Sequence, residues 1–287
     1  QASRMKTNPL WVKVIDCFNR TDINVFMIAK AVLGNDDGSK AFELAQQYNT
    51  SLNNLRNINN VDLTIQTVPP NASLEDAIDI FDRVNSQGTK LTDAELALTH
   101  ITGKWPQARR VMKHEIDDLS KHHYVFDLAF LTRSLTGVVT NHALYEYIHK
   151  ISRDKLEKGW KDLSKILNYL HSILPSKAFI HSTNDLNTTN VLIPLVVYLS
   201  QNDNKFSSEN SINHAIHWLY AAHIWARYTS QTDQRLEEDI SIVTKEDNPW
   251  NYLCAKIIDQ RGRIEVKGSD LEGRWIQHPL YRMTYIV

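Results

Sequence analysis

Between residues 73 and 96, apolar positions recur at helical spacing, stop at a glycine and start again. Leu74, Ala77, Ile78 and Phe81 fall on one face of a helix. Ser73 is placed to cap that helix, with Asp76 three residues on. Gly88 supplies a left-handed residue to end it. Thr92 and Glu95 then form the two halves of a capping box for a second helix. Leu91 and Leu96 occupy the positions of a hydrophobic staple around it. The pattern predicts a helical hairpin. It assigns no local task to Asn85, Gln87 or Thr89, so this polar turn is a place to look for function.

The rest of the chain is written mostly in the same period. Residues 11–18, 22–33 and 40–58 read as helices, the last two separated by the turn at 34–38. Val61, Leu63 and Ile65 alternate with Asp62, Thr64 and Gln66, and Val61 to Val68 is the best strand pattern in the chain. Pro69 and Pro70 stop it. One strand is not stable alone, so its partners are expected upstream of this sequence. A boundary is expected near Gly103 to Pro106. From Ala108 to about Asp259 the spacing predicts helices only, packed around Trp218, Leu219, Ala222 and the apolar run 191–199. Pro194 fits the first turn of a helix capped by Asn190. Arg263 to Val266, followed by Lys267 and Gly268, is a candidate strand and turn.

Composition adds limits rather than a function. The chain has 287 residues, 42% hydrophobic and 23% charged, which is ordinary for a globular protein. A net charge of −1 gives no global attraction to nucleic acid, so any such contact must be a local patch. Cys17 and Cys254 stand alone, without metal-ligand spacing, and point to a reducing cytoplasm. The run 191–199 is far short of a membrane span, so no membrane partner is expected.

Several constellations remain open. His214, His217 and His223 share a helix, but at about 100° per residue they fall on different faces, and no metal site is expected from them. Lys104, Arg109, Arg110 and Lys113 form the best basic cluster, a candidate contact for phosphate or DNA, with a solvated face as its alternative. Arg227 and Arg235 are candidates for ion pairs with Glu237, Glu238 or Asp239, again with a solvated face as the alternative. No P-loop, Gly-x-Ser-x-Gly or paired-carboxylate motif is present, and no catalytic residue is assigned.

The hairpin itself carries a resemblance. Phe81, Asn85, Gly88, Leu91 and Glu95 form the pattern Phe-x-x-x-Asn-x-x-Gly-x-x-Leu-x-x-x-Glu. This resembles the signature of the N-terminal domain family of GmrSD-type, modification-dependent restriction endonucleases. Weaker pieces follow in the same order: residues 105–109, 126–131, 193–195, 225–228 and 278–281. That family's N-terminal domain is similar to the ParB/sulfiredoxin nucleotide-binding fold. The family's Gln-Arg-x-Tyr-x-Trp element, its Asp-Gly-Gln-Gln-Arg loop for NTP hydrolysis and its His-His-x-x-Pro nuclease motif do not occur here.

The resemblance implies a mainly α fold: a helical bundle domain at 105–287 behind a remnant of an α/β ParB-like domain at 1–104, with one or two strands. It implies an internal fragment of an NTP-dependent DNA restriction protein in prokaryotic anti-phage defence. The fragment itself would be a non-catalytic scaffold or sensor. Asn85, Gly88 and Thr89 would be the nucleotide-site motif, with Asn85 holding the metal of Mg-NTP (GTP or UTP) in the intact parent, a suitable task for an amide oxygen. Thr89 and Lys90 would help with phosphate. DNA would be a partner through the parent, and a homo-oligomer is a candidate assembly. Two other readings of the hairpin stand beside this one: a plain packing hairpin, and a DNA-reading helix-turn-helix, although Asp93 and Glu95 would repel phosphate there. The alternative function is a helical protein-interaction module with no nucleotide or DNA role.

Overall fold

A computed structural model describes residues 8, 10–34, 38–63, 65, 67–86, 90–275, 278 and 280–281. For residues 74, 75, 79, 82, 85 and 86 it describes the backbone alone. The described residues are mainly helical, and none lies in a strand. The chain divides into two compact units, Gln1–Thr67 and Val68–Val287.

The first unit holds α1 (Val14–Asn19), α2 (Val25–Leu33) and α3 (Gly38–Arg56), followed by one 3-10 turn, Asn57–Asn60. The Asn24 side chain starts α2 by accepting the Met27 N–H at 3.0 Å. Gly34, with φ 77°, ends it. α2 and α3 pack together through small residues, burying Ala29, Ala41 and Ala45. Arg56 closes the unit by donating to the Cys17 carbonyl at 2.8 Å and to the Arg20 carbonyl.

The one or two strands expected in this region are absent among the described residues. Within Val61 to Val68, Leu63 and Ile65 are 86% and 85% exposed. Alternation alone does not make a strand. Its backbone needs a neighbouring ladder, and no described segment supplies one.

The second unit begins with the hairpin, α4 (Leu74–Ser86) and α5 (Asp93–Lys104). The Ser73 hydroxyl accepts the Asp76 N–H at 3.0 Å, and the Asp76 carboxylate accepts the Ser73 N–H at 3.0 Å. Thr92 and Glu95 exchange the same pair of bonds at 3.3 and 2.8 Å. Both caps therefore follow the sequence. Gly88, expected to end α4 with positive φ, lies outside the described residues.

The helices α6 (Ala108–Ser120), α7 (Leu128–Thr140), α8 (Arg153–Ala178), α9 (Ile193–Ser200), α10 (Glu209–Ile224), α11 (Thr232–Lys245), α12 (Trp250–Arg261) and α13 (Gly268–Leu271) follow. Short 3-10 turns occupy Tyr145–Lys150, Thr183–Asp185 and Thr189–Leu192. Every residue of α9 from Ile193 to Leu199 is buried. Trp218, Leu219 and Ala222 are buried on α10, as their spacing implied.

Close approach of α7 to its neighbours depends on two glycines. A Cβ on Gly137 would lie 2.7 Å from the Val197 side chain, and one on Gly159 would overlap Val139. Pro194 does sit in the first turn of α9. The cap is not Asn190, however. The preceding turn is 3-10, and the Thr188 hydroxyl accepts the Asn190 N–H at 3.3 Å.

No strand forms at Arg263 to Val266. That stretch is held as an irregular loop by the Trp225 indole N–H, which donates to the Ile264 carbonyl at 3.0 Å, and by Arg263 paired with Asp270 at 2.6 Å.

Arg227 is an ion-paired core residue, not part of a solvated face. Its side chain is 1% exposed and that of Asp239 0%. Nε and Nη2 donate to the two oxygens of Asp239 at 2.6 and 2.5 Å, and Nη1 donates to Gln260 at 2.9 Å. The Tyr228 hydroxyl also donates to Asp239. Burial alone would lower the Arg227 pKa, and the bonds to Asp239 more than reverse it. Arg235 donates instead to the Arg227 carbonyl at 2.7 Å. Glu237 takes up the loop after α7, accepting the Ala143 N–H at 2.7 Å.

Candidate functional site

A cleft of about 380 Å³ opens beside the hairpin. Phe81 of α4, Leu91 and Thr92 before α5, and Glu95, Leu98, Thr99 and Thr102 of α5 form one side. Arg109 of α6, Asp127, and Leu128, Ala129 and Thr132 of α7 complete it. Each wall is set by local chemistry. The capping box fixes Glu95 at the start of α5, and Asp127 caps α7 by accepting the Phe130 N–H at 2.7 Å. The threonine hydroxyls turn back onto their own helices: Thr99 donates to the Glu95 carbonyl at 2.9 Å, Thr102 to Leu98 at 2.6 Å and Thr132 to Leu128 at 2.6 Å.

The electrostatics follow from these bonds. The Thr92 N–H, then its hydroxyl, and then the nearby Arg109 charge hold Glu95 below the ordinary carboxylate range. Glu95 and Asp127 are thus committed carboxylates. Arg109 makes no hydrogen bond or ion pair among the described residues, and it supplies the uncommitted charge on the cleft wall. The arrangement offers an apolar floor, hydroxyl oxygens with spare lone pairs, two capping carboxylates and one guanidinium.

The residues predicted from sequence are only partly brought together. Asn85 lies in the last turn of α4, with its backbone alone described, and Gly88 and Thr89 lie outside the described residues. Lys90 is exposed. Lys104 donates its ammonium to the His149 carbonyl, so it lines neither the cleft nor the basic surface. Arg109 and Arg110 line a shallow groove with Lys113 and His114. Asp127, Ala129, Thr99, Thr102 and Thr132 of the cleft were not singled out by chemistry, although the stretch at 126–131 was visible as a motif.

Two of the three histidines of α10 have separate surroundings. His223 accepts the Asn187 N–H at 3.2 Å, while the His217 ring lies 3.8 Å from the Cys254 sulfur. Burial pushes the Cys254 thiol up to about 11, so it stays protonated. Among the described residues, no group of three or more His, Cys, Asp or Glu is arranged to hold a metal ion. None of the described helices is long and apolar enough to cross a membrane. Compared with known proteins, the chain matches no family model and no curated sequence.

Proposed function

We propose that this chain is the central region of a GmrSD-like, NTP-dependent and modification-dependent DNA restriction protein, acting there as a non-catalytic scaffold or sensor. In this reading residues 1–104 are the remnant of a ParB-like nucleotide-binding domain, and 105–287 are an all-helical domain behind it. The observation that carries it is the meeting of separate stretches on one cleft. Phe81, Leu91 and Glu95 of the hairpin signature share that cleft with Arg109 of the stretch 105–109 and with Asp127, Leu128 and Ala129 of 126–131. Residues far apart in sequence and belonging to one resemblance are what a shared binding site would require.

The division of labour follows. In the intact parent, Asn85 would contribute an oxygen ligand to the Mg²⁺ of Mg-GTP or Mg-UTP, with the turn at Gly88, Thr89 and Lys90 close to the phosphates. Arg109 would stabilise negative charge at the cleft. Positioning a water for attack would fall to residues this sequence does not supply. The parent would work on DNA in a prokaryotic cytoplasm, with a homo-oligomer as a candidate assembly.

Two measurements test the reading. The chain by itself should release no phosphate from GTP, UTP or ATP above a protein-free blank. Release that disappears with Asn85→Ala would overturn the scaffold assignment. In the parent gene product, Asn85→Ala and Arg109→Ala should each abolish NTP-driven DNA cleavage, and full activity in both variants would remove the family reading. The second reading, a helical interaction module, draws on the exposed Trp11, Phe42, Leu63 and Ile65 of the first unit. It predicts no effect of either substitution on any nucleotide-dependent activity.

A further inference from the structure

The stretch 225–228 stands out in the sequence and has no task in the proposed function. It is the turn that ends α10. Ala226 is held there at φ 49°, a conformation that residues with a Cβ rarely adopt. The Arg227 N–H closes the turn by donating to the Ala222 carbonyl at 2.9 Å. Past the helix end, the carbonyls of Trp225 and Arg227 need donors from elsewhere. Two arginines on two other helices supply them. Arg235 of α11 donates Nη1 to the Arg227 carbonyl at 2.7 Å. Arg261, the last residue of α12, donates Nη2 to the Trp225 carbonyl at 3.1 Å. Two guanidiniums are thereby fixed on carbonyls that lie two residues apart.

Neither is neutralised by an ion pair among the described residues. The nearby carboxylates are committed to other cations. Asp239 is held by Arg227 and the Tyr228 hydroxyl, Glu238 by Lys256 at 2.7 Å and Arg227 at 3.2 Å, and Asp233 by Arg133. Asp259 precedes Arg261 by two residues, which places it about 200° around α12. Burial, then the like charges of Arg227 and Arg261, lower the Arg235 pKa against the pull of Asp239 and Glu238. A surplus of positive charge therefore stays at the turn. Arg235 Nε is also buried and meets no acceptor among the described residues. A carbonyl cap uses one N–H of a guanidinium, so each arginine keeps a fork of donors to spare.

We propose that Arg235 and Arg261 form a binding site for a phosphate group, free or carried by a nucleotide. This site stands apart from the restriction-protein reading and does not rest on it. A carboxylate presents two oxygens and fills one guanidinium fork. A phosphate adds a third terminal oxygen and a charge close to −2, enough for two forks. Because both arginines are anchored on neutral carbonyls, a ligand displaces no carboxylate from either. The turn beneath them is held in advance: Arg227 is locked onto Asp239, and the Trp225 indole donates to the Ile264 carbonyl at 3.0 Å.

The test is a titration of the full 287-residue chain with inorganic phosphate, guanosine monophosphate and benzoate at constant ionic strength. Calorimetry gives the affinities, and the arginine Nε–H signals in the NMR spectrum give the place. The Arg235 Nε–H signal, assigned by its loss in R235K, should shift with phosphate, which a purely structural arginine would not show. R235K and R261K keep the charge but lose the fork, and each should weaken phosphate binding about tenfold. Circular-dichroism melts check that the variants fold, and R261K, at an exposed residue, keeps the test open if R235K does not. Equal affinity for phosphate and the nucleotide supports free phosphate as the ligand, and a nucleotide bound at least about tenfold tighter supports the nucleotide. Binding of both weaker than about 10 mM, an Arg235 signal that does not move, or affinity unchanged in both folded variants overturns the site. So does benzoate bound as tightly as phosphate. Binding kept in R235K and R261K but lost in R109Q/R110Q/K113Q places the phosphate on α6 and overturns it too.

Discussion

Among its described residues, the first unit buries only Ala29, Ala41 and Ala45 of its apolar side chains, while Trp11, Phe26, Phe42 and Leu63 face solvent. The second unit buries Trp218, Trp250 and the whole of Ile193–Leu199. Both are helical and both are rich in apolar residues. What separates them is the number of surfaces available to cover each helix. In the first unit α2 and α3 meet through alanines, and inward side chains such as Ile28, Tyr48, Leu52 and Leu55 stay only half-buried around a shared cleft. A unit of that size also buries a smaller share of its chain than a larger one. In the second, α7 touches α8 on one side and α9 on another, and α9 is enclosed. Apolar content is therefore a poor guide to core depth, and the layering of elements is what decides it.

The largest expected effect lies in the second unit, where a charge is deeply enclosed. Asp239→Ala leaves Arg227 buried with only Glu238, at 3.2 Å, as a carboxylate partner and should destabilise by about 3–5 kcal/mol in a denaturant melt. A loss below about 1 kcal/mol would mean that water reaches the pair, which would weaken the contrast between the units. Next comes packing. Gly159→Ala puts a methyl into Val139 at the α7–α8 contact and should cost about 1–3 kcal/mol by the same measurement. Then capping: Thr92→Ala removes one half of the box at the start of α5 and should cost about 1 kcal/mol.

These cases also divide what sequence discloses from what it does not. The Thr92 box and the Ser73 cap are legible because donor and acceptor lie three residues apart and need no other part of the chain. Gly159 is opaque, because its reason is Val139 on another helix. The Arg227–Asp239 pair was visible as a possibility, but its burial depends on helices that close over it. Val61 to Val68 pairs with nothing among the described residues, since alternation reports a face and not the neighbour that a strand needs, a neighbour the reading placed upstream. The cleft was half legible: its motif pieces could be read, and their convergence could not.

The smallest expected effect tests the other half of the comparison. Phe42 of α3 is 57% exposed, although it is as apolar as any core residue. If the first unit gains little from such side chains, Phe42→Ser should change stability by no more than about 0.5 kcal/mol. Leu219→Ala, a comparable loss of apolar surface at a site that is 0% exposed, should cost about 2–5 kcal/mol. The pair is best read in one experiment, by following hydrogen exchange so that each unit reports its own opening. A loss at Phe42 approaching that at Leu219 would show that this face is covered in solution, and would turn the exposed side chains of the first unit from a thin core into an occupied interface.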